Sequence, residues 1–212
     1  MSRLYTDVLN YHSIYEDENG VLNNKLGIKT TEELQQAETI ITTKRLSDLY
    51  VNPGIQTFDV KHYLAIHEYL FGDIYDFAGK IRSENIEKTF TFCIPQLIYS
   101  NLDQTLKMAK KKSIRIQTRE ELLIFIAELY ATLDVIHPFR EGNGRTEREY
   151  IRQFIDYICK QNGLDNYFID YSLCTRFEYL EAVIIADTTC NYEKLVNLFD
   201  RIMITKEKEK KL

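Results

Sequence analysis

Residues 118–163 read TREELLIFIAELYATLDVIHPFREGNGRTEREYIRQFIDYICKQNG. Thr118 followed by Glu121 matches a capping box, and Leu122, Ile126, Leu129, Leu133 and Ile136 then recur at three- and four-residue steps. This spacing predicts a buried helix that runs up to His137. Beyond the glycines, Tyr150, Ile151, Phe154, Ile155 and Ile158 form a second helical stripe, and Asn162 with Gly163 supplies its C-terminal stop. Two helices therefore flank one glycine-bearing loop.

Helical spacing extends outward in both directions. Leu34, Ala37, Ile41 and Leu46 predict an amphipathic helix over residues 31–49, and the Pro-Gly turn at 53–54 separates it from a helix capped by Asp59 and carrying Tyr63, Leu64, Ile66 and Leu70. Residues 85–94, NIEKTFTFCI, break the pattern: Phe90, Phe92 and Ile94 alternate with Thr91 and Cys93, the period of a short strand in a hairpin. From Asp165 on the chain reads as further helix, through Tyr179, Leu180, Val183 and Ile184 and then Leu195, Leu198 and Ile202. No repeat or linker marks a boundary. The expectation is an all-α helical bundle with a short β-hairpin, one domain over 1–212, with 1–55 a helical extension, 56–205 the core and 206–212 a charged tail.

Composition narrows the function. The 212 residues are 44% hydrophobic and 28% charged with 3 Pro and 8 Gly, which fits a helix-rich globular protein. A net charge of −5 speaks against general nucleic-acid binding. No stretch approaches the roughly 18 apolar residues of a membrane span, and the first twenty residues hold no apolar core of signal-peptide length, so a cytoplasmic location is expected. Cys93, Cys159, Cys174 and Cys190 form no C-x-x-C pair, and His12, His62, His67 and His137 are scattered, so any metal is expected to arrive with a substrate. His62 and His67 are assigned no role, and Phe139 is expected to anchor the loop in the core.

The loop at 137–148 combines groups suited to phosphate chemistry. Gly142 and Gly144 leave backbone amides open to close approach, and the helix that starts there points unpaired N–H groups and its positive dipole end into the same hollow. Arg145 and Arg148, three apart, add forked donors, and Asn143 adds an amide. Glu141 is a lone carboxylate among these groups, as expected where Mg2+ is held by one carboxylate plus substrate phosphates and waters. His137 can accept a proton from an attacking hydroxyl near neutral pH. A plainer reading leaves Arg145, Arg148 and Arg152 as solvated charges paired with Glu141, Glu147 and Glu149.

HPFREGNGRTER resembles the signature loop of Fic-family proteins, HPFx(D/E)GNGRxxR, at every fixed position. LFGDIYDFAGKIR at 70–82, NIEKTFTF at 85–92 and GVLNNKLGI at 20–28 extend the similarity over most of the chain. The resemblance implies a Fic fold whose hairpin flap, here Thr89, Phe90, Thr91 and Phe92, docks a target segment by strand addition. It further implies a protein adenylyltransferase that moves AMP from Mg-ATP to a Ser, Thr or Tyr hydroxyl of a target protein. In that carry-over His137 is the base and Glu141 the metal ligand. Asn143 would hold the α-phosphate, Arg145 and Arg148 the distal phosphates, and Gly142 and Gly144 the anion hole.

Many Fic proteins resemble one another in a restraining (S/T)xxxE(G/N) helix, whose glutamate pairs with the second motif arginine, here Arg148. No full match occurs: Thr189 and Glu193 are followed by Lys194, and Ser13 meets Asp17. Restraint by a separate antitoxin-like protein is therefore expected. The alternatives are another Fic-type phosphotransfer, such as kinase or UMP transfer, and a non-catalytic ATP-binding regulator.

Overall fold

The computed structural model describes residues 13–86 and 92–205. Helix α1 (Thr31–Val51) is capped by Thr30, and α2 (Val60–Phe71) by Asp59, whose carboxylate accepts the His62 N–H at 3.0 Å. Pro95 sits in the first turn of α3 (Pro95–Ser113), where its missing N–H has no cost. The predicted capping box is present at the start of α4 (Arg119–Ile136). Helix α5 (Asn143–Asn162) ends on Gly163, which adopts φ 71°. Helices α6 (Arg176–Thr189) and α7 (Glu193–Ile202) complete the bundle.

Helix α4 is the central member, packed against α3, α5, α6 and α7, while α5 also packs on α2. Tyr63, Leu70, Leu122, Ile126, Phe139, Tyr150, Phe154 and Phe199 are all buried in one core that runs from Val21 to Met203. The burial of both flanking helices fixes the ends of the loop between them. Among the described residues no helix is long and apolar enough to cross a membrane.

Two expectations change. The stretch after Asp165 is not all helix: β1 (Tyr167–Ile169) pairs antiparallel with β2 (Met203–Thr205), Tyr167 opposite Thr205 and Ile169 opposite Met203. Three-residue strands are too short to show a period of two, and the pairing spans the whole of α6 and α7, so local pattern could not reveal it. The hairpin expected over 85–94 falls largely on residues 87–91, including Thr89, Phe90 and Thr91, which lie outside the described residues. Of its flanks, Phe92, Cys93 and Ile94 form no strand. Instead the Phe92 N–H donates to the Ile86 carbonyl at 3.3 Å, and the Cys93 N–H donates to the Val135 carbonyl at 3.0 Å, so this segment is docked on the end of α4.

Candidate active site

His137 ends α4 in the left-handed conformation, φ 45° and ψ 62°, which turns the chain sharply into the loop. Its Nδ1 lies 3.1 Å from the Asp134 carbonyl oxygen and 3.5 Å from Asp134 Oδ1. Both neighbours are acceptors, so the proton sits on Nδ1 and the Nε2 lone pair is left for other work. One face of the imidazole stacks on Phe92 with ring centroids 3.8 Å apart. His137 as a whole is 6% exposed.

The loop is held from three directions. Phe139 is fully buried and stacks on His67 at 3.7 Å. His67, also fully buried, accepts the Gly79 N–H at Nδ1 (2.8 Å), so its proton is on Nε2, which donates to the Glu141 carbonyl at 2.9 Å. Burial pushes His67 down to about 4, which keeps it neutral in this role. Arg82, 2% exposed, donates from Nε to the His137 carbonyl at 2.8 Å and from its other nitrogens to the carbonyls of Glu84 and Cys93. Its own N–H donates to the Pro138 carbonyl at 2.9 Å. Asn143 closes the loop from within: Oδ1 accepts the Phe139 N–H at 2.8 Å and Nδ2 donates to the Phe139 carbonyl at 2.7 Å. One amide proton of Asn143 remains for a ligand.

Gly142 adopts φ 84°, and a Cβ there would lie 2.4 Å from the Phe71 ring. The first turn of α5, Asn143 to Arg145, then presents N–H groups that have no carbonyl one turn earlier in the helix. This is an anion-binding start with positive dipole sign. Glu141 stands beside it, its Oε1 accepting the Gly142 N–H at 2.9 Å, with the side chain 44% exposed.

Arg145 and Arg148 share a helix face in sequence but serve different cavities. Arg145 lies with Glu141, Glu38, Tyr75 and Arg140 in a cavity of about 530 Å3. It pairs with Glu38 of α1 and stands over the Phe71 ring at 4.8 Å. Arg148 lies in a second cavity of about 420 Å3, with its guanidinium 5.6 Å and 5.9 Å from the ring centroids of Tyr171 and Tyr179. Arg176, at the start of α6, lines both cavities. Among the described residues no carboxylate forms an ion pair with Arg148. Arg152 follows the plainer expectation, paired with Glu149 and Asp156.

The restraint-like pairs found in sequence are occupied elsewhere. Ser13 donates to Glu84 at 2.6 Å, the Asp17 carboxylate accepts the N–H groups of Asn19 and Val21, and the Thr189 hydroxyl donates to the Ile185 carbonyl. Behind His137, three carboxyl groups converge from α4, α5 and α6. Burial first, and then Asp134 and Asp187, push Glu147 far above the usual carboxylate range. Burial and the neighbouring Asp134 carboxyl push Asp187 up to about 9.

Sequence reasoning missed Glu38, His67, Arg82 and the Tyr171–Tyr179 pair. Arg82 closes the quoted LFGDIYDFAGKIR stretch, which is the one signal that pointed toward it.

This bundle, with its helix-borne imidazole turning into a glycine loop, has the Fic fold. The N-terminal Fic domain of a VirB-translocated Bep effector protein from Bartonella quintana, solved with bound ADP, matches it with a TM-score of 0.79 at 26% identity, over 92% of this chain and 96% of that one. Residues 57–155, just under half of the chain, match the Fic/DOC family. Its named relatives are enzymes. The protein adenylyltransferase VbhT of Bartonella schoenbuchensis is 34% identical over 171 residues, 80% of this chain. The probable protein adenylyltransferase y4lH of Sinorhizobium fredii is 28% identical over 167 residues, 77% of this chain and 82% of that protein. The chain spans 34% of the length of VbhT and 38% of that of a Bartonella henselae protein adenylyltransferase.

Proposed function

We propose that this chain transfers AMP from Mg-ATP to a Ser, Thr or Tyr hydroxyl of a target protein, releasing diphosphate. The observation that carries the reading is the placement of His137. Its Nδ1–H is fixed by Asp134, and the ring ends the helix that delivers it to an anion-binding helix start.

His137 Nε2 takes the proton of the target hydroxyl as its oxygen bonds to the α-phosphorus. The bond from the α-phosphorus to the bridging oxygen breaks, and diphosphate leaves with the electron pair. The N–H groups of the first turn of α5 face the charge on the transferred group, and Arg145 and Arg148 draw the distal phosphates toward their two cavities. Among the described residues no cluster of three His, Cys, Asp or Glu side chains could hold a metal alone. In this reading Mg2+ would be held by the half-exposed carboxylate of Glu141 together with substrate oxygens. When bound, the ion neutralises phosphate charge. Thr89, Phe90, Thr91 and Phe92 would be the docking flap, a reading supported by the stacking of Phe92 on His137.

Arg148, which faces Tyr171 and Tyr179, is the residue on which a separate antitoxin-like protein would act in this reading. The test uses Mg2+ and ATP labelled at the α or the γ phosphate, with wild type and His137→Ala. Label from the α position should appear on protein with wild type only. Transfer of the γ label, or equal transfer by the variant, would overturn the reading.

A further inference from the structure

Arg145 stands between two carboxylates, and both face the same nitrogen. Its Nη2 bonds Glu38 Oε1, and the same Nη2 lies 3.4 Å from Glu141 Oε1. Glu141 and Arg145 are four residues apart across a helix start, a spacing at which opposite charges pair unaided. Glu38 has the stronger claim for three reasons. Its side chain is 8% exposed against 44% for Glu141, so its attraction is less screened. Its other oxygen, Oε2, is fixed by the Tyr75 hydroxyl at 2.5 Å. Burial, and then Glu38 itself, push Tyr75 far upward, so the phenol keeps its proton and remains a donor. Thr42 Oγ1, one turn along α1, lies 3.4 Å from Arg145 Nη1 and fixes the second arm of the guanidinium.

We infer that Glu38 is a positioning residue that takes the main share of the Arg145 charge and keeps the Arg145–Glu141 contact long, so that the Glu141 carboxylate can turn to the divalent cation. The inference rests on the proposed nucleotidyl transfer in taking Glu141 as the ligand. It also extends the working site beyond residues 57–155, the part that matches the family, to a helix outside it.

Without Glu38 the guanidinium has, among the described residues, Glu141 left as its ion-pair partner, and a cation must then compete with it. Glu38→Gln keeps the shape and removes the charge. The expected result is a several-fold rise in the Mg2+ concentration that supports half-maximal AMP transfer, with kcat at saturating Mg2+ close to wild type. Mn2+ binding in the presence of ATP, followed by electron paramagnetic resonance, should weaken by the same factor. Tyr75→Phe, which loosens Glu38 without removing it, should shift both readings in the same direction by less, and it keeps the test open if Glu38→Gln does not fold. Unchanged Mn2+ affinity in folded variants would overturn the inference, as would a loss of transfer that high Mg2+ does not restore. Wild-type chain that moves no AMP would defeat the proposed function instead, and the Mn2+ measurement would still report on Glu38.

Discussion

Gly142 and Gly144 occupy one motif yet answer to different constraints. At Gly142 a side chain meets both a backbone at φ 84° and the buried Phe71 ring, which also supports Arg145. Gly142→Ala should therefore destabilise the chain by on the order of 3 kcal/mol, seen as a lower unfolding temperature, and should release Arg145 from its seat. At Gly144 an added Cβ meets only the end of Arg148, at 3.2 Å from Nη1, and the position is helical. Gly144→Ala should hold or gain stability, by up to about 1 kcal/mol, while weakening ATP binding measured by calorimetry. Equal unfolding temperatures for the two variants would contradict this division. The motif positions were legible because they are consecutive, so that their order alone assembles a base, a carboxylate, glycines and cations. Glu38 meets Arg145 across 107 residues, His67 meets the Glu141 carbonyl across 74, and Arg82 meets the His137 carbonyl across 55. Each is a single polar side chain on an otherwise ordinary helix or loop, and nothing local distinguishes it from a solvated one.

The helices were the readable part of the fold because each carries its own start signal and its own buried stripe. Thr118 and Glu121 show how local that information is: the hydroxyl accepts the Glu121 N–H at 3.2 Å, and the Glu121 carboxylate accepts the Thr118 N–H at 3.2 Å. Removing the cap by Thr118→Ala should cost about 1 kcal/mol. In a chain of this size that lowers the thermal midpoint by roughly 2–4 °C. The cap is at the end of α4 remote from His137, so the proposed AMP transfer should be unchanged per folded molecule; a fall in its kcat would mean that α4 transmits strain along its length. The β1–β2 pair shows the opposite case. Its register joins Tyr167 to Thr205 and exists only after α6 and α7 have folded back, so its information is held in the tertiary arrangement.

Taken over the whole molecule, buried titratable groups give stability two opposing pH dependences. His67 is neutral when folded and held down to about 4, whereas in the unfolded chain it takes a proton near its ordinary value of 6.5. The unfolded state therefore binds more protons between these values, and the contribution of His67 is present above about 6.5 and lost as pH falls toward 4. With 2.5 units of separation the loss is about 3 kcal/mol in all. Asp187 runs the other way. Its carboxyl is raised from 3.8 to about 9, so the folded state binds more protons over that range, and stability is lost as pH rises. Because the two overlap between about 4 and 6.5, a wild-type melting curve shows only their difference, and variants are needed to separate them. His67→Gln keeps a donor toward the Glu141 carbonyl but cannot be protonated. Its thermal midpoint should lie furthest below that of wild type near pH 7, and the gap should narrow as pH falls to 4.5. Asp187→Asn should gain on wild type as pH rises from 5 to 9. Gaps that stay constant with pH would show that neither group is titrating differently in the folded and unfolded chain. A narrowing for His67→Gln alone would place the raised carboxyl of the cluster behind His137 at a residue other than Asp187.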